Sequence, residues 1–156
     1  MGELQKNTSL LGVDINGSYR VIVFGMTNES MARGDFKAKV KDIDVLSDLI
    51  RSRISKAKIH NDLDKIVVIQ EVEREQTQEE YRKNIKKIAE QVQADVARYN
   101  KYLKIKAGAG RVVDGIINLP ESFKEANEAF MFVDVAGETP EDGGPQIMLF
   151  ADLGIF

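Results

Sequence analysis

The sequence predicts an α+β domain in which helices cover a mainly antiparallel sheet, with the element order β-α-β-β-α-β-α-β. The run YRVIVFGM, residues 19–26, is β-branched and aromatic, which is typical of a central strand. Apolar residues recur at spacings of three and four between residues 77 and 100, which predicts a helix with one buried face. Apolar residues then alternate with Lys and Gly over 104–110, which is the period of a strand with one buried face.

Composition sets bounds on the class of protein. The 156 residues are 43% hydrophobic and 30% charged, which predicts one globular domain over residues 10–156 after a polar lead-in at 1–9. We find no apolar run near the roughly 20 residues of a membrane span, and no secretory signal. The absence of Cys excludes disulfides and thiolate metal sites and favours the cytoplasm. With 22 basic and 25 acidic residues and a net charge of -3, this segment is not expected to grip a phosphate backbone.

The first strand and the helix after it are defined by their flanking signals. The turn pair Asn16-Gly17 precedes the strand, which we expect at the centre of the sheet. Asp42 or Asp44 is predicted to cap the following helix, which should end near Lys56. Its apolar face is formed by Ile43, Leu46, Leu49, Ile50 and Ile54.

A hairpin and the longest helix follow. Residues 58–60 are expected to pair with the strand at 66–72 around the polar turn 61–64. Thr77–Glu80 then forms a capping box, and Asn100 is predicted to close the helix in the left-handed conformation. The buried stripe of this helix contains Tyr81, Ile85, Ile88, Val92, Val96 and Tyr99.

The last third of the chain is predicted to form a helix and a short strand. Pro120 opens the helix, which spans about 119–136 and ends at Gly137. An acidic Gly/Pro-rich loop leads to a strand at 147–150, and Asp152 is a candidate cap for a further helix. One stripe of the 119–136 helix contains Phe123, Ala126, Phe130 and Val133.

Three features could carry chemistry, and each also has a structural interpretation. Asp62 and Asp64 could hold a metal ion, but alternate acids in a polar turn are usually solvated. Gly108 and Gly110 suggest a dinucleotide fingerprint, but the third glycine is absent and the helix begins too late, so close helix packing is preferred. His60 is the single histidine, which excludes a histidine metal cluster and favours a surface or strand-end role.

Two further patterns have the same ambiguity. Glu71, Glu73 and Glu75 could be acids in a cleft, although alternating acids at a strand end more often form its solvated face. The apolar stripe from Tyr81 to Tyr99 could pair with a partner helix, but core packing is the preferred interpretation.

The runs GAGRVVDGIINLPESFKEANEAF and ADLGIF, at 108–130 and 151–156, together resemble the GGDEF-like domain of PucR/CdaR-type transcriptional regulators. In that family a glycine-bearing strand leads through a segment with an Asp followed by a Leu to a helix with the pattern S-[YF]-x-E-A-x-x-A. The run LLGVDINGSYRVIVFGM, at 10–26, is similar to the entry of that domain's first core strand. The matching residues in the second half are Gly108, Gly110, Asp114, Leu119, Ser122, Phe123, Glu125, Ala126, Ala129, Asp152, Leu153 and Gly154.

The resemblance implies the palm-like fold shared by GGDEF domains and their degenerate relatives. Active diguanylate cyclases carry a Gly-Gly-[Asp/Glu]-Glu-Phe hairpin, in which glycines admit the nucleotide and acids hold Mg²⁺. Here the equivalent hairpin, 60–65, contains no glycine, and residues 25–28 offer no Asp where those enzymes carry another metal ligand. The expectation is therefore a domain with no catalytic, cofactor-binding or metal-binding residues and no cofactor.

Two function classes follow from the resemblance. The favoured one is a non-catalytic regulatory or dimerisation domain of a cytoplasmic transcriptional regulator, whose DNA-binding helix-turn-helix lies beyond this chain. The alternative is a small-molecule or nucleotide sensor that uses a degenerate cyclase cleft, with an unknown effector; an active cyclase is disfavoured. We expect a homo-oligomer without membrane contact, with a weak self-contact through Met131, Phe132 and Val135.

Overall fold

The computed structural model describes residues 16–28, 36–62, 64–73, 76–136 and 144–153. The strands and helices in chain order are β1 (Ser18–Asn28), α1 (Phe36–Arg53), β2 (Ala57–Asp62), β3 (Lys65–Val72), α2 (Gln78–Tyr99), β4 (Leu103–Ala109), β5 (Val113–Asp114), α3 (Leu119–Ala136) and β6 (Gln146–Leu149). Two short 3-10 turns span Ile116–Asn118 and Phe150–Leu153. The order confirms the predicted α+β arrangement, with β5 as a two-residue addition.

The sheet has the strand order β2-β3-β1-β4-β6, with β5 paired to the start of β1. Every pairing is antiparallel except that of β4 with β6, which is parallel. The apolar, β-branched β1 lies in the middle, as predicted, since both of its edges are paired. The sheet is therefore mostly antiparallel.

Helices cover both faces of the sheet. On one face α1 and α2 pack over Ile22 and Phe24 of β1, and on the other α3 packs over Val21 and Val23. Because β4 runs between these two layers, its residues from Ile105 to Ala109 are buried on both faces. The prediction that this strand has a single buried face was wrong, since glycines on the second face lie beneath a helix rather than in solvent.

Helix α1 begins earlier than predicted. It starts at Phe36, so Asp42 and Asp44 lie within the helix and neither caps it. The residues before Asp42 are mostly strong helix formers, which lets the helix extend toward the N-terminus. Asp42 instead accepts a 3.2 Å hydrogen bond from the Tyr99 hydroxyl of α2. The end of α1 at Arg53 lies close to the predicted end near Lys56, which has a φ of 53°.

Helix α2 follows the predicted pattern at its start but not at its end. The Thr77 hydroxyl accepts the Glu80 N–H at 3.1 Å and donates to the Glu80 carboxylate, which confirms the capping box. Asn100 is extended, with φ -153° and ψ 111°, so the predicted left-handed cap was wrong. Its side-chain oxygen accepts the Tyr102 N–H at 2.9 Å, a local turn that competes with the left-handed conformation.

From α3 onward, the structure only partly matches the predicted elements. Pro120 lies in the first turn of α3, and β6 is shifted one residue toward the N-terminus of the predicted 147–150 strand. Asp152 lies inside a 3-10 turn, and its carboxylate pairs with Arg82 of α2. Gly137 lies outside the described residues. Among the described helices, none is both long and apolar enough to cross a lipid bilayer.

Candidate functional site

The glycines of the 108–110 segment lie directly beneath α3. A Cβ atom added at Gly108 would come within 2.6 Å of the Ala126 carbonyl oxygen and would collide with the backbone nitrogen of Phe130. A Cβ at Gly110 would lie 2.7 Å from the Ser122 hydroxyl and would collide with the Ser122 carbonyl oxygen. The prediction of close helix packing is confirmed, because the space that a phosphate would need at these glycines is filled by the backbone of α3.

Ser122 joins α3 to the place where β4 separates from β1. Its hydroxyl accepts the Val21 N–H at 3.0 Å and donates to the Arg111 carbonyl oxygen at 2.9 Å. The Gly110 N–H donates to the Val21 carbonyl oxygen at 2.9 Å. The Ser122 hydroxyl therefore accepts the hydrogen bond that a neighbouring strand would otherwise accept from the buried Val21 N–H. An unpaired N–H at this position would lower the free energy of unfolding.

Glu125 forms a second junction one turn further along α3. Its carboxylate accepts the Arg111 backbone N–H at 2.9 Å and receives the Arg111 guanidinium at 2.7 Å. The same guanidinium lies over the ring of Phe150, 5.3 Å from the ring centre. The hydrogen bond to Glu125 raises the pKa of Arg111 above its usual value. This cluster connects α3, the end of β4 and the last 3-10 turn.

The other residues of the α3 motif also have structural contacts. Ala126 and Ala129 are fully buried, whereas the neighbouring Phe123 is 39% exposed and does not join the predicted stripe. Before the helix, the Asp114 carboxylate accepts the Ser18 hydroxyl at 2.7 Å. Gly115 follows with a φ of 81°, a conformation that favours glycine. The motif residues therefore fix α3 and the turn before it against the sheet.

The hairpin between β2 and β3 is joined to the centre of the sheet through β3, which pairs with β1. Its last pair is Asp62 with Lys65, and Asp62 and Asp64 are exposed. On β1, a Cβ added at Gly25 would lie 2.6 Å from Cζ of Phe130, so the α3 side of this strand is covered by an aromatic ring. Within the described part of the chain, no three His, Cys, Asp or Glu side chains are grouped as a metal site requires.

The remaining sequence candidates are dispersed. His60 is exposed on the edge strand β2, in agreement with its preferred interpretation. Glu71 lies near the end of β3 and Glu73 follows the strand, and both line a polar groove. Glu75 falls outside the described residues. The stripe of α2 packs in the core from Tyr81 to Val96, which confirms the core interpretation, whereas Tyr99 is largely exposed.

Arg20 is a buried charged residue that the sequence reasoning missed. It lies on the same face of β1 as Ile22 and Phe24, and only 2% of its surface is exposed. Its Nε donates to Gln70 Oε1 at 2.8 Å, and its terminal nitrogens donate to the Tyr81 carbonyl oxygen at 3.1 Å and to Asn84 Oδ1 at 2.7 Å. The signal in the sequence was a basic residue inside an otherwise apolar central strand.

The three groups that accept hydrogen bonds from Arg20 are all neutral. Burial lowers the pKa of the Arg20 guanidinium to about 10, while Tyr81 has a smaller opposing effect. The guanidinium also lies over the Tyr81 ring, 5.8 Å from its centre. At neutral pH the arginine therefore remains charged.

Two surface depressions adjoin these elements. A polar groove of about 290 Å³ lies next to the partners of Arg20 and is lined by Ser55, Lys56, Gln70, Glu71, Val72, Glu73, Gln76 and Asn84. An apolar groove of about 380 Å³ lies on α3 and is lined by Glu128, Met131, Phe132 and Leu153.

Comparison with known proteins finds a matching sequence family and a solved structure of similar fold. The sequence family described as a GGDEF-like domain matches residues 2–131. The crystal structure of the GGDEF domain of YfiN, also called TpbB, from Pseudomonas aeruginosa is similar in fold, with a TM-score of 0.53 and 9% sequence identity. The similarity covers 92% of this chain and 86% of that chain. No curated protein matches this chain.

Proposed function

This chain belongs to the GGDEF-like domain family, and we propose that it is a non-catalytic member that acts as a regulatory and dimerisation domain. The observation that carries the proposal is the packing of α3. Its backbone covers Gly108 and Gly110, and its Phe130 ring covers Gly25. Gly25, Gly108 and Gly110 therefore serve to bring a helix against the sheet, and they leave no space for a nucleotide on the α3 side.

The hairpin residues support the same proposal. Two-metal phosphoryl chemistry needs acids that hold the ions and donors that stabilise the phosphates. The hairpin between β2 and β3 lacks glycine, and its acids Asp62 and Asp64 are exposed. Ser122 and Glu125, the polar residues of the α3 motif, are engaged in contacts that stabilise the fold.

The parent protein in this proposal is a transcriptional regulator of the PucR/CdaR type. The resemblance of the α3 motif supports this context, and the net charge of -3 agrees with a domain that leaves DNA contacts to a separate helix-turn-helix. The contribution of the domain would be to bring two copies together, because regulators that read paired half-sites are two-fold symmetric.

A condensation assay tests the non-catalytic part of the proposal. The purified domain is incubated with GTP and an excess of Mg²⁺ or Mn²⁺, and cyclic dinucleotide is measured by chromatography against a no-protein control and against an active diguanylate cyclase. We expect product at the level of the no-protein control, because the hairpin 60–65 has no glycine and residues 25–28 offer no Asp for a metal ion. Metal-dependent product above that level would contradict the proposal.

A sensor role is the second candidate. The polar groove beside Gln70 and Asn84 is the observation that favours it, rather than the nucleotide cleft near the hairpin, whose α3 side is covered at Gly25.

A further inference from the structure

The buried charge of Arg20 has no carboxylate partner among the described residues. Its three hydrogen-bond acceptors are two side-chain amides and one backbone carbonyl, all of them neutral. Burying an unneutralised guanidinium costs several kcal/mol in typical proteins, so such residues are usually paired with an acid. Two of its acceptors, Gln70 and Asn84, line the groove beside β3 and the first turns of α2.

The same contacts fix the orientation of two amide groups. A guanidinium only donates hydrogen bonds, so Gln70 and Asn84 must each turn their oxygen toward Arg20. Their NH₂ groups consequently face away from Arg20, and neither donates a hydrogen bond to a described residue. Gln70 is only 8% exposed, so its NH₂ group is a nearly buried donor on the wall of the groove.

Lys56 adds a cation to the groove. It lies in the turn before β2, where its carbonyl oxygen accepts the Glu71 N–H at 3.0 Å. The groove therefore combines two fixed amide donors, a lysine and the field of a buried arginine, which together suit an oxyanion. Its volume of about 290 Å³ is at the lower end of the range of small-molecule sites.

We propose that the groove between β3, the turn before β2 and the start of α2 binds a small monocarboxylate through the NH₂ groups of Gln70 and Asn84. Glu71 and Glu73 also line the groove, and their negative charges disfavour more highly charged anions such as phosphate or a nucleotide. The carboxylate supplies the negative charge that Arg20 lacks. Binding of a monocarboxylate at this groove does not depend on the regulatory role. That role is tested separately, by the condensation assay and by light scattering.

The test uses sodium acetate as the probe and the side-chain NH₂ signals of Gln70 and Asn84 in ¹H–¹⁵N NMR spectra as the readout. Acetate is titrated into the full chain at constant ionic strength, and sodium phosphate is titrated in parallel. We expect saturable shifts of both NH₂ pairs with acetate and weaker shifts with phosphate. Absence of a saturable acetate response, or tighter binding of phosphate than of acetate, would overturn the proposal.

The variant Asn84→Asp distinguishes a cluster that binds a carboxylate from one that only stabilises the fold. The new carboxylate, at an exposed position of α2, pairs with the buried Arg20, so the variant should unfold at a higher temperature than the wild type at neutral pH. It should also bind acetate at least about tenfold more weakly, because a donor is replaced by a like charge. Unchanged acetate affinity in this variant would contradict the proposed site.

Two further variants complete the design. Gln91→Glu makes the same change of charge two turns further along α2, outside the groove, and should keep the acetate affinity of the wild type. Asn84→Ala removes the donor without adding charge and should weaken acetate binding while the Gln70 signal still responds. Equal losses in Gln91→Glu and Asn84→Asp would show a general charge effect and would overturn the assignment.

Discussion

Gly108 shows how a single residue determines the packing of a whole helix. Replacing it with Val places a branched side chain against the backbone of α3 at Ala126 and Phe130. Backbone atoms cannot move aside as a flexible side chain can. We expect Gly108→Val to lower the free energy of unfolding by ~3 kcal/mol or more, at or beyond the upper end of the usual overpacking cost, as measured by urea denaturation.

Gly17→Ala is the matched control for this prediction. A Cβ at Gly17 approaches only the side chain of Tyr19, at 3.0 Å from its hydroxyl oxygen, so the free energy of unfolding should change much less. GTP binding is measured for all the proteins by calorimetry. A Gly108→Val protein that keeps its stability but loses a nucleotide affinity present in the wild type would show that the glycine serves a ligand.

At the scale of elements, Asp95 joins the two helices on one face of the sheet. Its carboxylate accepts hydrogen bonds from Arg53, the last residue of α1, at 2.8 Å and 2.9 Å, and it also pairs with Arg98. The hydrogen bonds from Arg53 hold the pKa of Asp95 below its ordinary value of 3.8, with Arg98 contributing in the same direction. The ionised form of Asp95 therefore favours the folded state.

Asp95→Asn should remove this pH-dependent contribution. Because the folded-state pKa is depressed, the contribution of Asp95 is fully present above its ordinary pKa and is lost as the pH falls through the folded value. We expect the variant to be less stable than the wild type at pH 7, and the difference in unfolding free energy to shrink as the pH is lowered below 3.8. Urea denaturation across this pH range provides the measurement.

Asp48→Asn provides the control for an exposed ion pair. Asp48 contacts Arg51 at 3.4 Å, and its side chain is 78% exposed, so its removal should have little effect at any pH. If the two variants lose the same stability at pH 7, or if the difference for Asp95→Asn does not depend on pH, the proposed role of Asp95 is wrong.

At the scale of the whole molecule, the apolar groove on α3 is the surface through which we propose that the domain self-associates. Met131 is 56% exposed and Phe132 is 46% exposed, and both line the groove with Leu153. Val135, the third residue of the sequence hypothesis, lies outside the residues whose side chains are described. Exposed apolar residues grouped on one helix are typical of contact surfaces, and an interface of this limited size is expected to be weak.

Light scattering over a concentration series tests the predicted self-contact. The average mass of the wild type should rise with concentration, and Met131→Lys should reduce this rise because the charge opposes burial at a contact. Ile117→Lys is the control, since Ile117 is 80% exposed but does not line the groove. A wild-type mass that remains monomeric at the highest soluble concentration would argue against dimerisation through this domain.

Local sequence patterns predicted most elements because their signals are short-range. The spacing from Tyr81 to Val96 specified the buried face of α2, and the run at 19–26 specified the central strand. Boundaries were less accurate where two local preferences compete. Asp42 resembles a cap but follows residues that already favour a helix, and Asn100 uses its side chain for a turn rather than adopting the left-handed conformation.

The sequence by itself determined the fold class, the family resemblance and the lack of a glycine-bearing hairpin, because these depend on residue type and order along the chain. Only the tertiary structure showed that α3 is the helix that packs over Gly108 and Gly25, and that Arg20 orients Gln70 and Asn84. These contacts join residues far apart in sequence, such as Arg20 and Asn84. Their existence depends on which strands pair and which helix covers each face, and no local pattern encodes that information.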